Sequence, residues 1–441
     1  MCKRRLTAIL LLICLVFPCL FCYADDEISI EEIIEEVNLD DPDLMDDELN
    51  GIGTDGVSVA QLIDQRVFTP SYGSPYEGRD DTLNYWTLPM DITDEEAVWK
   101  VLMQPVTVLN GKMFNGNSEK VQIVLRKEPD PDSDGIGVVT CESQAVHVLE
   151  RGNEWSLIEC YSSSFHDSKV INWNVLVQGW IESKYLKEVV PNQEMGIVVD
   201  KLTQRLYLFM DGKLFTTLLV STGVSNATQP YNETRSGEFL LVSKTGDFKS
   251  DNMTCLMAIR FNSGDLLHEV PYVYSRTDAG YKKQESALGT RASHGCIRVQ
   301  RKKTPEGVNM EWIYKHWKKN TKFLVWEDWQ GRQISYPADE TPLYYNPGKG
   351  QNYHTSETCY SAPKIRFEAF TYGQLDEAEF EKLTRCPFCA APLRKAEIDQ
   401  INAEHAAGGD HDPILTEART GCPMVLKDWQ KIQKQLKKKK K

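Results

Sequence analysis

The chain has 441 residues, of which 41% are hydrophobic, and this length accommodates about three domains with cores of their own. Its 50 lysines and arginines against 64 aspartates and glutamates give a formal net charge of -14, which argues against nucleic acid as a partner. The 12 cysteines are spaced too irregularly for a protein built on a disulfide framework, although an exported chain would permit disulfides.

Residues 1–24 have the organisation of a secretory signal peptide. A basic start precedes an apolar run, and Ala24 ends that run just before acidic sequence. The segment is too short for a transmembrane anchor, and its pattern predicts export and cleavage. Cys19 and Cys22 raise a lipoprotein alternative, but Phe and Pro stand where lipid attachment requires small residues. We therefore expect a secreted chain located at the cell wall or outside the cell.

Residues 25–95 are an acidic leader followed by a linker. The run DDEISIEEIIEEVNLDDPDLMDDEL opens the mature chain, and Gly, Asp, Pro and Ser are frequent after it. This composition favours a solvated segment without a core. Tyr85 and Trp86 are the candidates for packing of the linker against a neighbouring domain.

Residues 96–191 show short alternating runs separated by Gly, Asp and Pro, which predict a small antiparallel barrel. The stretches GVVTCESQAVHVLERGNEWSLIEC and VQGWIESKYLKEV resemble the bacterial SH3-like wall-binding barrel, with Trp155 after a turn and Gly-Trp-Ile at 179–181. The resemblance implies wall binding, and a spacer barrel with a core tryptophan is the alternative. Cys141 and Cys160 fall on candidate strands, where two buried thiols are favoured over a disulfide.

Residues 192–327 are rich in strand patterns and poor in helical ones. Leu206, Leu208 and Met210 alternate on one face, and Asp-Gly at 211–212 is a strong hairpin signal between two apolar runs. We therefore predict a β-sandwich for this region, and a mainly β, multidomain protein as a whole.

The stretch ASHGCIRVQ brings together the groups that a thiol nucleophile requires. Such a nucleophile needs a base, backbone amides for an oxyanion and a close backbone approach. Cys296 supplies the thiol, the amides of Gly295 and Cys296 are the oxyanion candidates, and His294 and the upstream His268 are the candidate bases. A metal site would need more ligands at matching spacing. A disulfide with Cys255 is the remaining alternative.

The stretches HEVPY and LGTRASHGCIRVQ resemble the catalytic signature of the L,D-transpeptidase (YkuD-type) domain, as do VVDKLTQRLYLFMDGKL and TRSGEFLLVSK. The resemblance implies Cys296 as nucleophile and His268 as its base, with a main-chain carbonyl orienting the histidine. The motif's supporting positions are Ser293, His294, Gly295 and Arg298, and Ser293 and Arg298 are assigned to substrate binding.

The chain departs from the family pattern at two places. The segment between His268 and Ser293 is longer than usual, which predicts a lid or a substrate loop, and Glu269 stands where glycine is common. His316 lies downstream of Cys296 in the amphipathic stretch WIYKHWKKN, where a surface histidine is the better interpretation.

The resemblance implies a peptidoglycan stem peptide as substrate and no cofactor for catalysis. Attack on the bond between the third residue, a diamino acid, and the terminal D-Ala would release D-Ala and form a 3→3 cross-link. With water as acceptor the same site would be an L,D-carboxypeptidase. A non-catalytic wall-binding scaffold is the alternative from another class, and the intact Cys–His set argues against it.

Residues 328–396 contain a candidate structural zinc site. His354 and Cys359 precede the CPFC stretch that carries Cys386 and Cys389, and such a turn can present two thiolates to one ion. A redox CxxC pair or a Cys386–Cys389 disulfide is the alternative.

Residues 397–441 are predicted to be a helical, basic tail. Val425, Trp429, Ile432 and Leu436 have helical spacing and lead into KKKKK. The lysines are either a solvated end or a contact to anionic wall polymers or lipid headgroups.

Overall fold

A computed structural model describes most of the chain after residue 91. The described residues are 92–114, 121–163, 173–224, 232–250, 252–326, 333–348, 350–359, 366–386, 388–389 and 391–406. The predicted signal peptide, most of the acidic leader and linker, and the predicted helix before the lysines lie outside them. Among the described residues, no helix has the length and apolar character needed to cross a bilayer.

The N-terminal unit is a sheet of seven strands in which every pairing is antiparallel. Its order is β3-β2-β6-β5-β4-β1-β7. The strands are β1 (Val106–Leu109), β2 (Gln122–Arg126), β3 (Gly135–Thr140), β4 (Ala145–Arg151), β5 (Trp155–Ser162), β6 (Val175–Glu182) and β7 (Leu186–Val189). Its core includes Leu125, Ile158 and Val177. The short antiparallel strands agree with the predicted pattern, and the SH3-like assignment stays a prediction.

The stretch AVWKVLMQPVTVL (97–109) is one of the alternating runs that predict strands in residues 96–191. It begins within a helix, α1 (Glu95–Met103), and only its second half contains a strand. The strand prediction for its first half was therefore wrong. Asp94 caps the helix through the amide of Ala97 at 3.1 Å, and Val98, Val101 and Leu102 form a buried helical stripe. That stripe packs against strands of the next unit, so tertiary packing selected the helical period.

The two cysteines of the N-terminal unit are buried and reduced. Cys160 lies on β5, whereas Cys141 follows β3 in a left-handed conformation with φ 69°. Burial raises the pKa of both thiols.

The central unit is a sheet of ten strands that folds back on itself. Its order is β11-β17-β8-β9-β10-β16-β14-β13-β12, with β15 beside β13. The strands are β8 (Met195–Asp200), β9 (Arg205–Met210), β10 (Lys213–Ser221), β11 (Gly237–Leu241), β12 (Ser243–Ser250), β13 (Met253–Arg260), β14 (Leu266–Glu269), β15 (Tyr272–Val273), β16 (Ile297–Val299) and β17 (Thr321–Trp326). Two helices accompany them, α2 (Asp278–Ser286) and α3 (Met310–His316).

One apolar core joins the two halves of this sheet, as the predicted sandwich requires. Ile197 and Phe323 from one half share it with Ile259 and Ile297 from the other. The β9–β10 hairpin is confirmed, because Met210 pairs with Lys213 across a turn at 211–212 whose two residues both have positive φ.

The long segment after His268 contains β15 and α2. Tyr281 of α2 is 1% exposed and packs with Leu219, Val270 and Leu288. The segment is therefore anchored to the sheet by a helix, and its action as a lid stays a prediction.

The C-terminal unit is a small four-stranded sheet in the order β20-β18-β19-β21. Its elements are β18 (Pro342–Tyr345), β19 (Asn352–His354), β20 (Glu368–Thr371), β21 (Thr384–Arg385) and helix α4 (Lys395–Ala406). Asn402 of α4 exchanges hydrogen bonds of 2.8 and 2.9 Å with the backbone of Ile334. The predicted start of the tail at residue 397 therefore falls inside a helix that packs on this unit.

Candidate active site and metal cluster

The site containing Cys296 lies on the face of the sheet that points away from the core. Strands β14 and β16 are parallel neighbours, with Leu267 opposite Ile297 and His268 opposite Arg298. Because side chains alternate along a strand, Leu267 and Ile297 enter the core while His268 and Arg298 take the other face. Cys296 directly precedes β16 and shares the face of Arg298.

This register puts His268 and Cys296 on adjacent segments of the sheet. In ideal strand geometry, with about 4.8 Å between strands and about 6.6 Å for a two-residue advance, the Cα atoms of such a diagonal pair are about 8 Å apart. Side chains that bridge such a diagonal can meet.

An apolar wall covers the pair. Phe248 on β12 packs with Leu266, Ala258 and Cys296, and its ring meets the ring of His268 edge-on at 5.5 Å between centroids. Cys296 is 8% exposed and His268 is 2% exposed. Apolar surroundings disfavour a charged thiolate, so a chemical role for this thiol requires a base beside it.

The hydrogen bond of His268 selects the tautomer of its neutral ring. Its Nδ1 lies 2.6 Å from the main-chain oxygen of Glu269. A carbonyl can only accept, so Nδ1 carries a proton, and in the neutral ring Nε2 has the lone pair that a general base uses. The Glu269 carbonyl is the candidate for the orienting main-chain carbonyl that the resemblance implies.

The turn before Cys296 is held by Ser293. The Ser293 hydroxyl donates to the main-chain oxygen of Cys296 and accepts the amide of Gly295 at 3.3 Å. In this arrangement the Gly295 amide has a partner within the turn, and its role at an oxyanion stays a prediction. His294 is exposed, whereas Ser293, Gly295 and Cys296 are buried.

Arg298 has a partner within the chain. It is 6% exposed and donates to Gln284 Oε1 of α2 at 2.9 Å. The contact ties the helix of the long segment to the strand that follows the thiol. The predicted contact of Arg298 with substrate stays a prediction, as does that of Ser293.

Sequence reasoning missed the residues that surround Gly295. Gly295 has φ +120°, and a Cβ there would lie 2.8 Å from Asp265 Oδ1. Asp265 pairs with the buried Arg235 at 2.7 Å, and Thr234 donates to the main-chain oxygen of Gly295 at 2.8 Å. The stretch TRSGEF resembles the family's sequence, but no sequence signal links it to Asp265.

Glu269 is a buried carboxyl next to the candidate base. The Tyr281 hydroxyl donates to its Oε1 at 2.8 Å. Burial nevertheless raises the pKa of Glu269 above its ordinary value, because desolvation of the carboxylate outweighs that hydrogen bond.

The residues predicted as zinc ligands converge in the C-terminal unit. One ligand atom from each of His354, Cys359, Cys386 and Cys389 lies within 4.8 Å of the others. Cys359 Sγ is 3.8 Å from Cys386 Sγ, and Cys389 Sγ is 3.7 Å from His354 Nδ1. Two thiolates on a tetrahedral zinc ion are also about 3.8 Å apart, as follows from a Zn–S bond of ~2.3 Å. The cluster can therefore hold a metal ion.

Comparison with known families finds a match for the central unit. Residues 194–325 match the family model described as YkuD, the L,D-transpeptidase catalytic domain. The matched range includes His268 and Cys296. Catalytic domains of this family need no cofactor. No protein with a curated description matches the chain.

Solved structures similar to this chain include L,D-transpeptidases at low identity. The L,D-transpeptidase (Yku) from Stackebrandtia nassauensis is 22% identical, with 31% of this chain and 56% of that chain covered and a TM-score of 0.22. The L,D-transpeptidase from Mycobacterium smegmatis is 14% identical, with 51% and 92% covered and a TM-score of 0.25. A fused Zn-dependent amidase/peptidase/peptidoglycan-binding domain-containing protein from Clostridium acetobutylicum is 20% identical, with 30% and 52% covered and a TM-score of 0.22. The chain thus spans about half the length of the Clostridium and Stackebrandtia proteins.

Proposed function

We propose that this protein is a secreted L,D-transpeptidase that forms 3→3 cross-links between peptidoglycan stem peptides, with Cys296 as nucleophile and His268 as base. The observation that carries the proposal is the parallel β14–β16 register, which puts the thiol and the imidazole on one face of the sheet. The fixed Nδ1–H tautomer of His268 supports it, since it leaves Nε2 to take a proton.

In the acylation step, His268 Nε2 takes the proton of Cys296 Sγ and the thiolate attacks the carbonyl between the diamino acid and the terminal D-Ala. Backbone amides at Gly295 and Cys296 are the candidates to stabilise the oxyanion. The C–N bond then breaks, the amine of D-Ala takes the proton from His268, and a thioester remains on Cys296.

In the transfer step, an amine of a neighbouring stem attacks the thioester carbonyl. A new amide bond forms, the C–S bond breaks, and the proton of the amine returns to Cys296 through His268. Ser293 and Arg298 are the proposed substrate contacts. Hydrolysis of the same thioester by water would make the enzyme an L,D-carboxypeptidase.

The remaining segments are proposed to keep the enzyme at the wall. The N-terminal unit is the candidate wall-binding barrel, and the lysine tail is the candidate contact to anionic wall polymers or lipid headgroups. Binding through the tail should weaken strongly by ~1 M salt, where the Debye length is about 3 Å. Sedimentation of the full chain and of a chain without residues 431–441 with purified sacculi tests this contact.

The C-terminal cluster is proposed to hold one structural Zn²⁺. Three thiolates and one imidazole are a usual donor set for a closed zinc site, and the separations of the two ligand pairs suit it. A bound ion would stabilise the small unit, because binding energy at such a site is folding energy.

The decisive experiment is mass spectrometry of muropeptides incubated with the purified full-length chain. The proposal expects release of D-Ala and a dimer joined between the third residues of two stems. Shortened stems without dimers would make the protein a carboxypeptidase. If neither product forms and no acyl adduct appears on Cys296, the scaffold alternative remains.

A further inference from the structure

Trp173 and Asn174, directly before β6 of the N-terminal unit, make a buried contact with residues 233–236 of the central unit. Trp173 Nε1 donates to the main-chain oxygen of Glu233 at 3.1 Å. Asn174 Nδ2 donates to Glu233 Oε1 at 2.9 Å and to Ser236 Oγ at 3.1 Å. Asn174 Oδ1 accepts the Ser236 amide at 2.6 Å. The two units are therefore joined at this contact by a set of directional bonds.

The same segment contacts the turn that carries the nucleophile. Thr234 Oγ1 accepts the amide of Gly223 at 2.8 Å and donates to the main-chain oxygen of Gly295 at 2.8 Å. Arg235 pairs with Asp265, and a Cβ on Gly295 would lie 2.8 Å from Asp265 Oδ1. Thr234 thus bonds Gly295 directly, and Arg235 bonds the carboxylate that lies beside it.

Buried charges fix the conformation of the segment. Lys201 Nζ donates to Glu233 Oε1 at 2.5 Å and to the main-chain oxygen of Thr234 at 2.9 Å, and the side chains of Lys201 and Glu233 are 0% exposed. The Arg235 guanidinium lies 4.2 Å from the ring centroid of Trp173. Removing one member of such a set leaves a buried charge or donor without its partner, so the set resists rearrangement.

We infer that Trp173 and Asn174 of the N-terminal unit are positioning residues for the Cys296 site. They hold residues 233–236, and that segment in turn fixes Gly295 beside the nucleophile. Thiol chemistry at Cys296 therefore depends on an N-terminal unit that is docked on the central unit. The N-terminal unit is more than the spacer considered as an alternative above. The test by turnover rests on the proposed function, whereas the test by alkylation of Cys296 does not.

The test uses the full-length chain with the substitution Asn174→Gly. Asn174 has φ 51°, which glycine adopts without strain, so the variant removes three hydrogen bonds and keeps the backbone. Trp173→Phe is the second variant, since it removes one donor and keeps a ring beneath Arg235. Lys187→Ala, on the exposed side of β7, is the matched control in the same unit.

The expected result is a fall of about 10- to 100-fold in kcat for D-Ala release by Asn174→Gly, because small misplacements of reacting groups have effects of this size. KM should change less than about threefold, and Lys187→Ala should match the wild type. Thermal unfolding measured alongside ensures that the variants are folded at the assay temperature. If Asn174→Gly does not fold, Trp173→Phe decides between the outcomes by the same criteria.

A double-mutant cycle tests the route through Thr234. Thr234→Val removes the hydrogen bond to Gly295, and Thr234→Ser retains it. If Asn174 acts through Thr234, the fold-loss of kcat in Asn174→Gly/Thr234→Val is smaller than the product of the two single losses. Thr234→Ser, which keeps the hydroxyl, should retain the activity that Thr234→Val loses. Multiplicative losses, or kcat within about twofold of wild type in folded Asn174→Gly, would overturn the inference.

A second readout does not require the proposed substrate. The rate of alkylation of Cys296 by iodoacetamide, followed on its own peptide by mass spectrometry, should change at least about threefold in Asn174→Gly. An unchanged rate in the folded variant counts against the inference. Absence of D-Ala release by the wild type, together with a changed alkylation rate, would overturn the proposed function and leave the positioning role standing.

Discussion

His268 lies directly opposite Arg298 in the parallel pairing of β14 with β16. A slip of the pairing by one residue would turn one of the two side chains into the apolar core that Leu267 and Ile297 now occupy. The core contacts of these neighbours therefore fix which residues face the site, and the proposed chemistry of Cys296 depends on them.

Replacement of the nucleophile tests the centre of the proposed reaction. Cys296→Ala should abolish D-Ala release and the acyl adduct while the fold is kept, since alanine fills the apolar site beside Phe248 with little change. Intact-mass analysis with stem peptide and thermal unfolding measure the two effects. Cys141→Ala, a buried thiol in the N-terminal unit, is the matched control. Turnover by Cys296→Ala would remove the enzyme assignment.

The two histidines are expected to differ in their effect. His268→Ala should slow acylation severely and lower the rate of Cys296 alkylation at neutral pH, because it removes the proposed base, which is buried. His294→Ala should lower the alkylation rate less, since the exposed His294 acts at most through the geometry of its turn. Peptide-level alkylation rates decide the order. The reverse order would transfer the base role to His294 and leave the reaction unchanged.

Glycine at 295 should be required for both stability and activity. Gly295→Ala forces a residue with a side chain to φ +120° and brings its Cβ within 2.8 Å of Asp265 Oδ1. We expect a loss of about 1–3 kcal/mol in the free energy of unfolding and a large loss of turnover. Gly307→Ala is the control, because Gly307 has φ +83° but open space around its Cβ position. Equal effects of both variants would show that the contact with Asp265 has no influence.

Glu269→Gln should change how stability depends on pH. Burial raises the folded-state pKa of Glu269, so the folded protein binds its proton more tightly than the unfolded chain does. The stability associated with this group is therefore present below the unfolded value near 4.5 and is lost as pH rises through the folded pKa. Glutamine cannot ionise and can still accept from Tyr281, so the variant should gain in melting temperature relative to wild type between about pH 4 and pH 7. A constant difference in melting temperature would contradict this.

The same variant separates the side chain of residue 269 from its backbone. The carbonyl of Glu269, and not its carboxyl, orients His268. Turnover at neutral pH should therefore stay within about threefold of wild type. A loss as large as that of His268→Ala would mean that the carboxyl takes part in catalysis.

Metal content tests the C-terminal cluster. The purified full chain should contain about one equivalent of zinc, and Cys386→Ala should contain less than about a tenth of that, since the remaining groups no longer close a tetrahedral site. Elemental analysis measures the content, and Cys160→Ala is the matched thiol control. Chelation should lower the unfolding temperature of the C-terminal unit, because metal binding contributes to its folding. A metal-free wild type that unfolds at the same temperature with and without chelator would reject the site.

Several features could be predicted from the sequence because they are local. The Asp-Gly turn at 211–212 and the alternation of Leu206 with Leu208 depend on neighbouring residues, and both are present as predicted. The potential ligands of the metal cluster were likewise predicted from two short spacings. A turn residue, a strand period and a tight CxxC loop carry their geometry within a few positions of the chain.

Only the tertiary structure decided the contacts between distant segments. α1 is helical because its apolar stripe is buried against strands of the central unit. Strand pairing and buried hydrogen bonds across tens of residues bring Phe248 to Cys296, and Asp265 and Thr234 to Gly295 beside it. Asn174, from another unit, contacts the segment 233–236 to which Thr234 belongs. Local propensity and spacing carry no information about such pairings. The burial of apolar faces and the need to partner every buried polar group select them only once the whole chain has folded.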